Sequence, residues 1–252
     1  MWRTALARLG FAATGILYIG LGVAAARVGL AGARNREAGV PGALRLILQQ
    51  PHGRAILAAV AAGFAAFTVW HVLEMRNRRR GPVDRLGHLA GGLGYAALCW
   101  AAVALLLRLK PQGGAFRRSA LEWLLSYRLG AFAVEAAGAV TIGAGLFEIA
   151  QGATGRLRNR FRTHRLTRDG ARLLEGVARF GLAARGLVLV VIGVFEVRVA
   201  VDLDPRELRE IGGALKAVSR STAGGPMFAG VISLGLIAYG LYMATLALAV
   251  RR

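Results

Sequence analysis

Only one cysteine, six prolines, two lysines and 13 acidic residues occur among the 252 residues of this chain. Each shortage closes off something. The lone thiol, Cys99, can form no disulfide within the chain and no cysteine metal cluster, and it says nothing about redox compartment. No proline falls inside any long apolar run, so the broken helices on which many carriers build their sites are not expected. Ser-His-Asp sets, P-loops and HExxH motifs are missing as well, which leaves an enzyme without support and no catalytic residue to name. Four histidines complete the inventory, with His52 and His164 in connections. His71 and His88 lie near one membrane face on consecutive spans, so an axial haem pair is conceivable, but with no second intramembrane pair neither haem nor metal is assigned.

What is present in quantity is apolar surface, 56% of the residues, and arginine, 31 of the 33 basic side chains, for a formal charge of +20. A hydrocarbon core of roughly 30 Å takes about 20 apolar residues of helix. Six stretches approach that length: 10–32, 53–75, 86–107, 129–150, 180–201 and 227–250. The chain therefore reads as an all-α membrane protein of six transmembrane helices. A cleavable signal peptide competes for the first stretch, which follows Arg3 and Arg8. Its counterparts later in the chain favour a retained span. Between the spans, "MRNRRRGPVDR" (75–85) and "TGRLRNRFRTHRLTRDGAR" (154–172) are densely basic, whereas the fifth connection contains Asp202, Asp204, Glu207 and Glu210. That asymmetry places both termini in the cytoplasm of a plasma membrane. It also makes anionic lipid the natural partner of the basic loops, ahead of nucleic acid.

Aligning the chain with itself is the most informative step. "ARLGFAATGILY" (7–18), "DRLGHLAGGLGY" (84–95) and "ARFGLAARGLVL" (178–189) match without gaps, bringing together Arg8, Arg85 and Arg179, then Gly10, Gly87 and Gly181, then Gly15, Gly92 and Gly186. "GALRLIL" (42–48), "SALEWLL" (119–125) and "GALKAVS" (213–219) follow in similar register. The second helices 53–70 and 225–242 align, and the copy starting at Arg128 fits at an offset of 74 residues from the first. The units are 1–80, 81–155 and 177–252, with a basic cytoplasmic connection at 156–176. Three tandem two-helix repeats enter the membrane in one sense, so a pseudo-threefold bundle about the membrane normal is the leading architecture and a row of hairpins the alternative.

These openings, the spaced glycines and the "GAL" connections resemble the bacterial membrane family catalogued as domain of unknown function 1206. The resemblance spans essentially the whole chain. It implies six spans in three repeats, and neither an activity nor functional residues. The middle copy departs most, with "SYRLGAF" where the other second helices begin at glycine.

The six aligned glycines suit close helix packing, because small residues let backbones approach in lipid. The three aligned arginines suit headgroup anchoring, with stems that snorkel to the interface. Trp70 and Tyr242 fit an aromatic belt. Connections near 42–50, 117–126 and 206–219 read as short interfacial helices that cap one end of the bundle. The remaining charges lie within spans. Glu148 matches the depth of Arg185, and Glu135 approaches that of Arg27 and Arg198, beside Glu196, so two layers of ion pairs are expected. Glu135, aligned with Ala61 and Ser233, breaks the symmetry and is the best single functional candidate. Two functions compete: a non-enzymatic scaffold that stabilises a complex, with a membrane-protein partner or a second copy, and a channel or transporter for a small ion or solute running between the repeats.

Overall fold

The computed structural model describes residues 2–29, 39–77, 81–109, 123, 125–154, 168–202 and 225–249. They form α1 (Trp2–Gly29), α2 (Val40–Leu48), α3 (Gly53–Met75), α4 (Pro82–Leu106), α5 (Arg128–Thr154), α6 (Arg168–Asp202) and α7 (Gly225–Ala249). All but α2 are long and apolar enough to cross a membrane. At 1.5 Å per residue the 25 residues of α4 span about 38 Å, more than a hydrocarbon core requires. α6 begins at Arg168, inside the stretch read as a connection, so part of that basic segment is helix.

Side by side the spans run α4, α3, α1, α7, α6, α5. The extensive antiparallel seams join α3 to α4, α5 to α6 and α7 to α1, with α1–α3 and α6–α7 contacts linking them; among the described residues α4 and α5 share no such seam.

The seams owe their closeness to small residues at seven-residue intervals. Gly138, Gly145 and Gly152 of α5 are buried. They meet Gly193, Gly186 and Arg179 of α6 so tightly that a Cβ on Gly186 would lie 2.5 Å from the Gly145 carbonyl oxygen. Between α1 and α7, Gly15 faces Gly240 at a comparable 2.8 Å. The register recurs at all three seams. A Cβ on Gly22 would meet the Ser233 oxygen at 2.6 Å and one on Gly193 the Gly138 oxygen at 2.7 Å. At α3–α4 the Cys99 Sγ donates to the Ala61 carbonyl at 3.4 Å. This register puts Glu135 level with Ala58 and Gly230, three residues away from the sequence alignment with Ala61 and Ser233.

α2 buries Gly42, Ala43, Leu44 and Ile47 against α1, α3 and α4 while Arg45 stays exposed, so it packs on the ends of these helices by one face. A turn through His52, whose φ of 60° is left-handed, reverses the chain into α3. Of the other two connections read as short helices, 206–219 lies outside the described residues and 117–126 is described only at 123, 125 and 126.

Candidate functional site

Six residues after Arg179, about 9 Å along α6, the apolar helix carries Arg185. An arginine near the middle of a span costs about 2.5–3.5 kcal/mol on insertion scales unless it is answered. Here it is answered four ways. Its Nη1 pairs with Glu148 Oε1 of α5. Its Nε donates to the Tyr18 hydroxyl of α1 at 2.7 Å. Its guanidinium carbon lies 5.5 Å from the Tyr18 ring centroid and 5.0 Å from that of Tyr239 on α7. The two rings stand edge to face, 4.6 Å apart. One cation thus ties four helices together through charge, hydrogen bond and ring quadrupoles. The second carboxylate oxygen, Glu148 Oε2, is buried without a hydrogen-bond partner among the described residues.

A second polar group lies between α3 and α4. His88 Nδ1 and His71 Nδ1 are 3.2 Å apart, so one ring donates and the other accepts, and no porphyrin fits between them. The His71 ring stacks on Tyr95, with centroids 5.5 Å apart. On α1 the buried Thr14 donates from Oγ1 to the Gly10 carbonyl at 2.8 Å. Among the described residues no three metal-ligating side chains come together.

The aligned arginines do more than face lipid. Arg8 donates from Nε to the Ala247 carbonyl at 2.9 Å and from Nη2 to that of Leu248 at 3.3 Å. Arg179 repeats the arrangement on Gly152 and Ala153, at 2.7 and 2.6 Å. Each satisfies the orphan carbonyls at the end of a neighbouring helix that has no basic residue in its own last turn. Arg85 makes no such bond, and its Nε is buried and unpartnered among the described residues.

Of the six aligned glycines, Gly10 packs on Phe67, Gly181 on Tyr239, and Gly15 and Gly186 on facing backbone. Gly92 is buried more loosely, 3.4 Å from the His71 Cβ, and Gly87 faces open space. Gly87 is a correction to the packing expectation, because no described residue packs on that side of α4. The outer ion-pair layer is a correction too. Glu135, Arg27 and Arg198 are all exposed and make no ion pair among the described residues. Glu135 sits on the unpartnered face of α5. Glu196 is partly buried, and its Oε2 has no partner among the described residues. Tyr242, read as a belt residue, is 1% exposed because its face of α7 packs inward.

The sequence reading passed over Tyr18, Tyr95, Tyr239 and Thr14. A signal for three of them was available: Tyr18 and Tyr95 close the aligned stretches, and Arg185 replaces Thr14 in that alignment. Tyr239 carried no comparable mark.

The family model described as Domain of Unknown Function (DUF1206) matches residues 9–78 and 180–249. An uncharacterized protein of Bacillus subtilis (strain 168), YxxB, is 25% identical over 248 residues, which cover 96% of this chain and 89% of its own. No solved structure matches. The two matched stretches hold α1 with α3 and most of α6 with α7, whereas α4 and α5 lie between them, so the model finds two copies of the domain and not three. Since together they exceed half of the 252 residues, this polytopic membrane protein belongs to the DUF1206 family.

Proposed function

We propose that the protein is a non-enzymatic membrane scaffold of three two-helix units, 1–80, 81–155 and 177–252, arranged about a pseudo-threefold axis along the membrane normal. The recurrence of one register at the α3–α4, α5–α6 and α7–α1 seams supports the three units, the middle one being diverged. Both termini face the cytoplasm of the bacterial plasma membrane, a reading supported by the acid-poor arginine runs at 75–85 and 154–172, which there meet anionic lipid.

The observation that carries the scaffold reading is the unequal closure within units. In the first, Gly63 lies against Ala13 and Leu9, and in the third, Gly235 lies against Ala184. The matching residues of the middle unit, Ala90 and Val140, are both exposed, Val140 to 70%. Gly87, Gly94 and Gly143 have nothing among the described residues within 4 Å of a Cβ position. A face of Gly, Ala and Val left uncovered by the described residues is one on which a transmembrane helix of another protein can pack at close range. The interior cation Arg185, by contrast, is answered within the chain. The test is cross-linking in native membranes from single cysteines in a Cys99→Ala background. Gly143→Cys should give an adduct larger than the monomer and Gly193→Cys, inside the α5–α6 seam, none. Absence of adducts from Gly94→Cys, Gly143→Cys and Ala144→Cys alike would sink the scaffold reading.

A second reading, a small-ion or small-solute pathway between the units, is favoured by the unpartnered Glu148 Oε2 beside Arg185. Its signature is flux across proteoliposomes that Glu148→Gln abolishes while the protein stays folded.

A further inference from the structure

Three arginines occupy one place in three units, and they behave differently. Arg8 and Arg179 each spend Nε and Nη2 on two consecutive carbonyls at the end of the antiparallel neighbour. By the common seam register, the carbonyls that Arg85 would take are those of Met75 and Arg76, at the end of α3. It takes neither. Its Nε is removed from solvent yet has no hydrogen-bond partner among the described residues.

The sequence at that end of α3 supplies a reason. Ala247, Leu248, Gly152 and Ala153 are small or apolar, whereas the position corresponding to Leu248 and Ala153 is Arg76, itself exposed. The register thus sets two arginines, Arg76 and Arg85, at one helix end. The favourable pull of that end on a cation is already met by Arg76, and a second cation is repelled. Asp84, exposed in the first turn of α4, is the acid adjacent to Arg85 in sequence. With Glu74 in the last turn of α3, the sequence 74–85 sets two carboxylates against five arginines, Arg76, Arg78, Arg79, Arg80 and Arg85, and so stays net positive. Such a site lacks an anion able to accept several N–H donors at once, and a phosphate group meets that need better than a carboxylate.

We infer that Arg85 and Arg76 form a phosphate-binding site at the α3–α4 end of the bundle, filled by the headgroup of an anionic phospholipid, while Arg8 and Arg179 act as helix staples and bind none. The inference rests on the three-unit reading above. It narrows headgroup anchoring from three arginines to one.

The test uses the full chain in mild detergent, following thermal unfolding with added phosphatidylglycerol, phosphatidylcholine or inorganic phosphate. At about a hundred times its dissociation constant, phosphatidylglycerol should raise the wild-type midpoint by about 5 °C. Phosphatidylcholine should not. Arg85→Gln should abolish the rise, whereas Arg8→Gln and Arg179→Gln should lower the midpoint itself and keep the rise. A rise with inorganic phosphate of the same size as with phosphatidylglycerol would assign the site to free phosphate and overturn the lipid assignment. An undiminished rise in Arg85→Gln would overturn the site altogether. Should Arg85→Gln fail to fold, Arg76→Gln at the exposed neighbour decides: the rise should fall by at least half, and an unchanged rise refutes the proposal. Unaltered midpoints in both Arg8→Gln and Arg179→Gln would instead refute the staple equivalence, and with it the three-unit argument, whatever lipid does at Arg85.

Discussion

Two glycines that align in sequence provide a sharp physical test when each is replaced by alanine. At Gly186 the new Cβ would stand 2.5 Å from the Gly145 carbonyl oxygen and 2.8 Å from the Ile149 side chain, where ordinary contact begins near 3.4 Å. The α5–α6 seam must therefore open by about 0.9 Å at that level. A radial gap of 0.5–1 Å forfeits about a quarter to a half of each dispersion contact, and overpacking of this kind costs roughly 1–3 kcal/mol. At Gly87 the same methyl meets nothing among the described residues within 4 Å. Both variants gain the same helix propensity, about 0.8–1 kcal/mol, so subtracting one from the other isolates the seam. The expected difference is about 1–3 kcal/mol, or roughly 2–12 °C in unfolding midpoint for a chain of this size. Intrinsic tryptophan fluorescence during a thermal scan in detergent measures it. If Gly186→Ala unfolds at the same temperature as Gly87→Ala or higher, the backbone contact across the seam is not what holds α5 to α6.

Glu148→Gln and Arg185→Gln should each cost about 1.5–3 kcal/mol, since each strands a partner only about a fifth exposed, and the double variant should cost clearly less than the sum; strict additivity would show that the pair is not coupled. Glu135→Gln, at an exposed and unpaired position, should leave stability within about 0.5 kcal/mol or raise it, and a loss beyond about 1 kcal/mol would mean that the side chain has a partner after all. Cysteines at positions 2 and 252, in a Cys99→Ala background, should resist impermeant maleimide in intact cells and react after lysis. Labelling of either in intact cells reverses the orientation.

Run length alone made the six spans legible, because a continuous apolar stretch of about 20 residues has few alternatives. Depth counting along 1.5 Å steps was enough to set Glu148 level with Arg185, where the structure joins them. The same counting failed for Glu135, because depth says nothing of azimuth: its face of α5 turns away from α1 and α6, and only packing reveals which face is free. The three-residue slip in the second-helix alignment has a similar origin. Glycine and alanine are so frequent in these helices that several registers score alike, and the contacts of Gly22, Gly193 and Cys99 single out one of them. Gly87 read as a packing residue for the same reason. A glycine marks where a helix could come close and not whether one does.

The pairing of α1 with α7 has a consequence for how the protein is made. The bond from Arg8 to Ala247 joins residues 239 positions apart, so α1 meets α7 only after the intervening helices have been made. Until then its glycine face, through Gly15 and Gly22, is bare in the bilayer. The α3–α4 and α5–α6 seams join consecutive helices and can form as synthesis proceeds, with little closure entropy to overcome. Assembly is therefore ordered, with the local seams formed before the join of α1 to α7. A chain truncated before α7 would be fully inserted yet would display an unfinished surface that membrane quality control could use to tell it from the finished product.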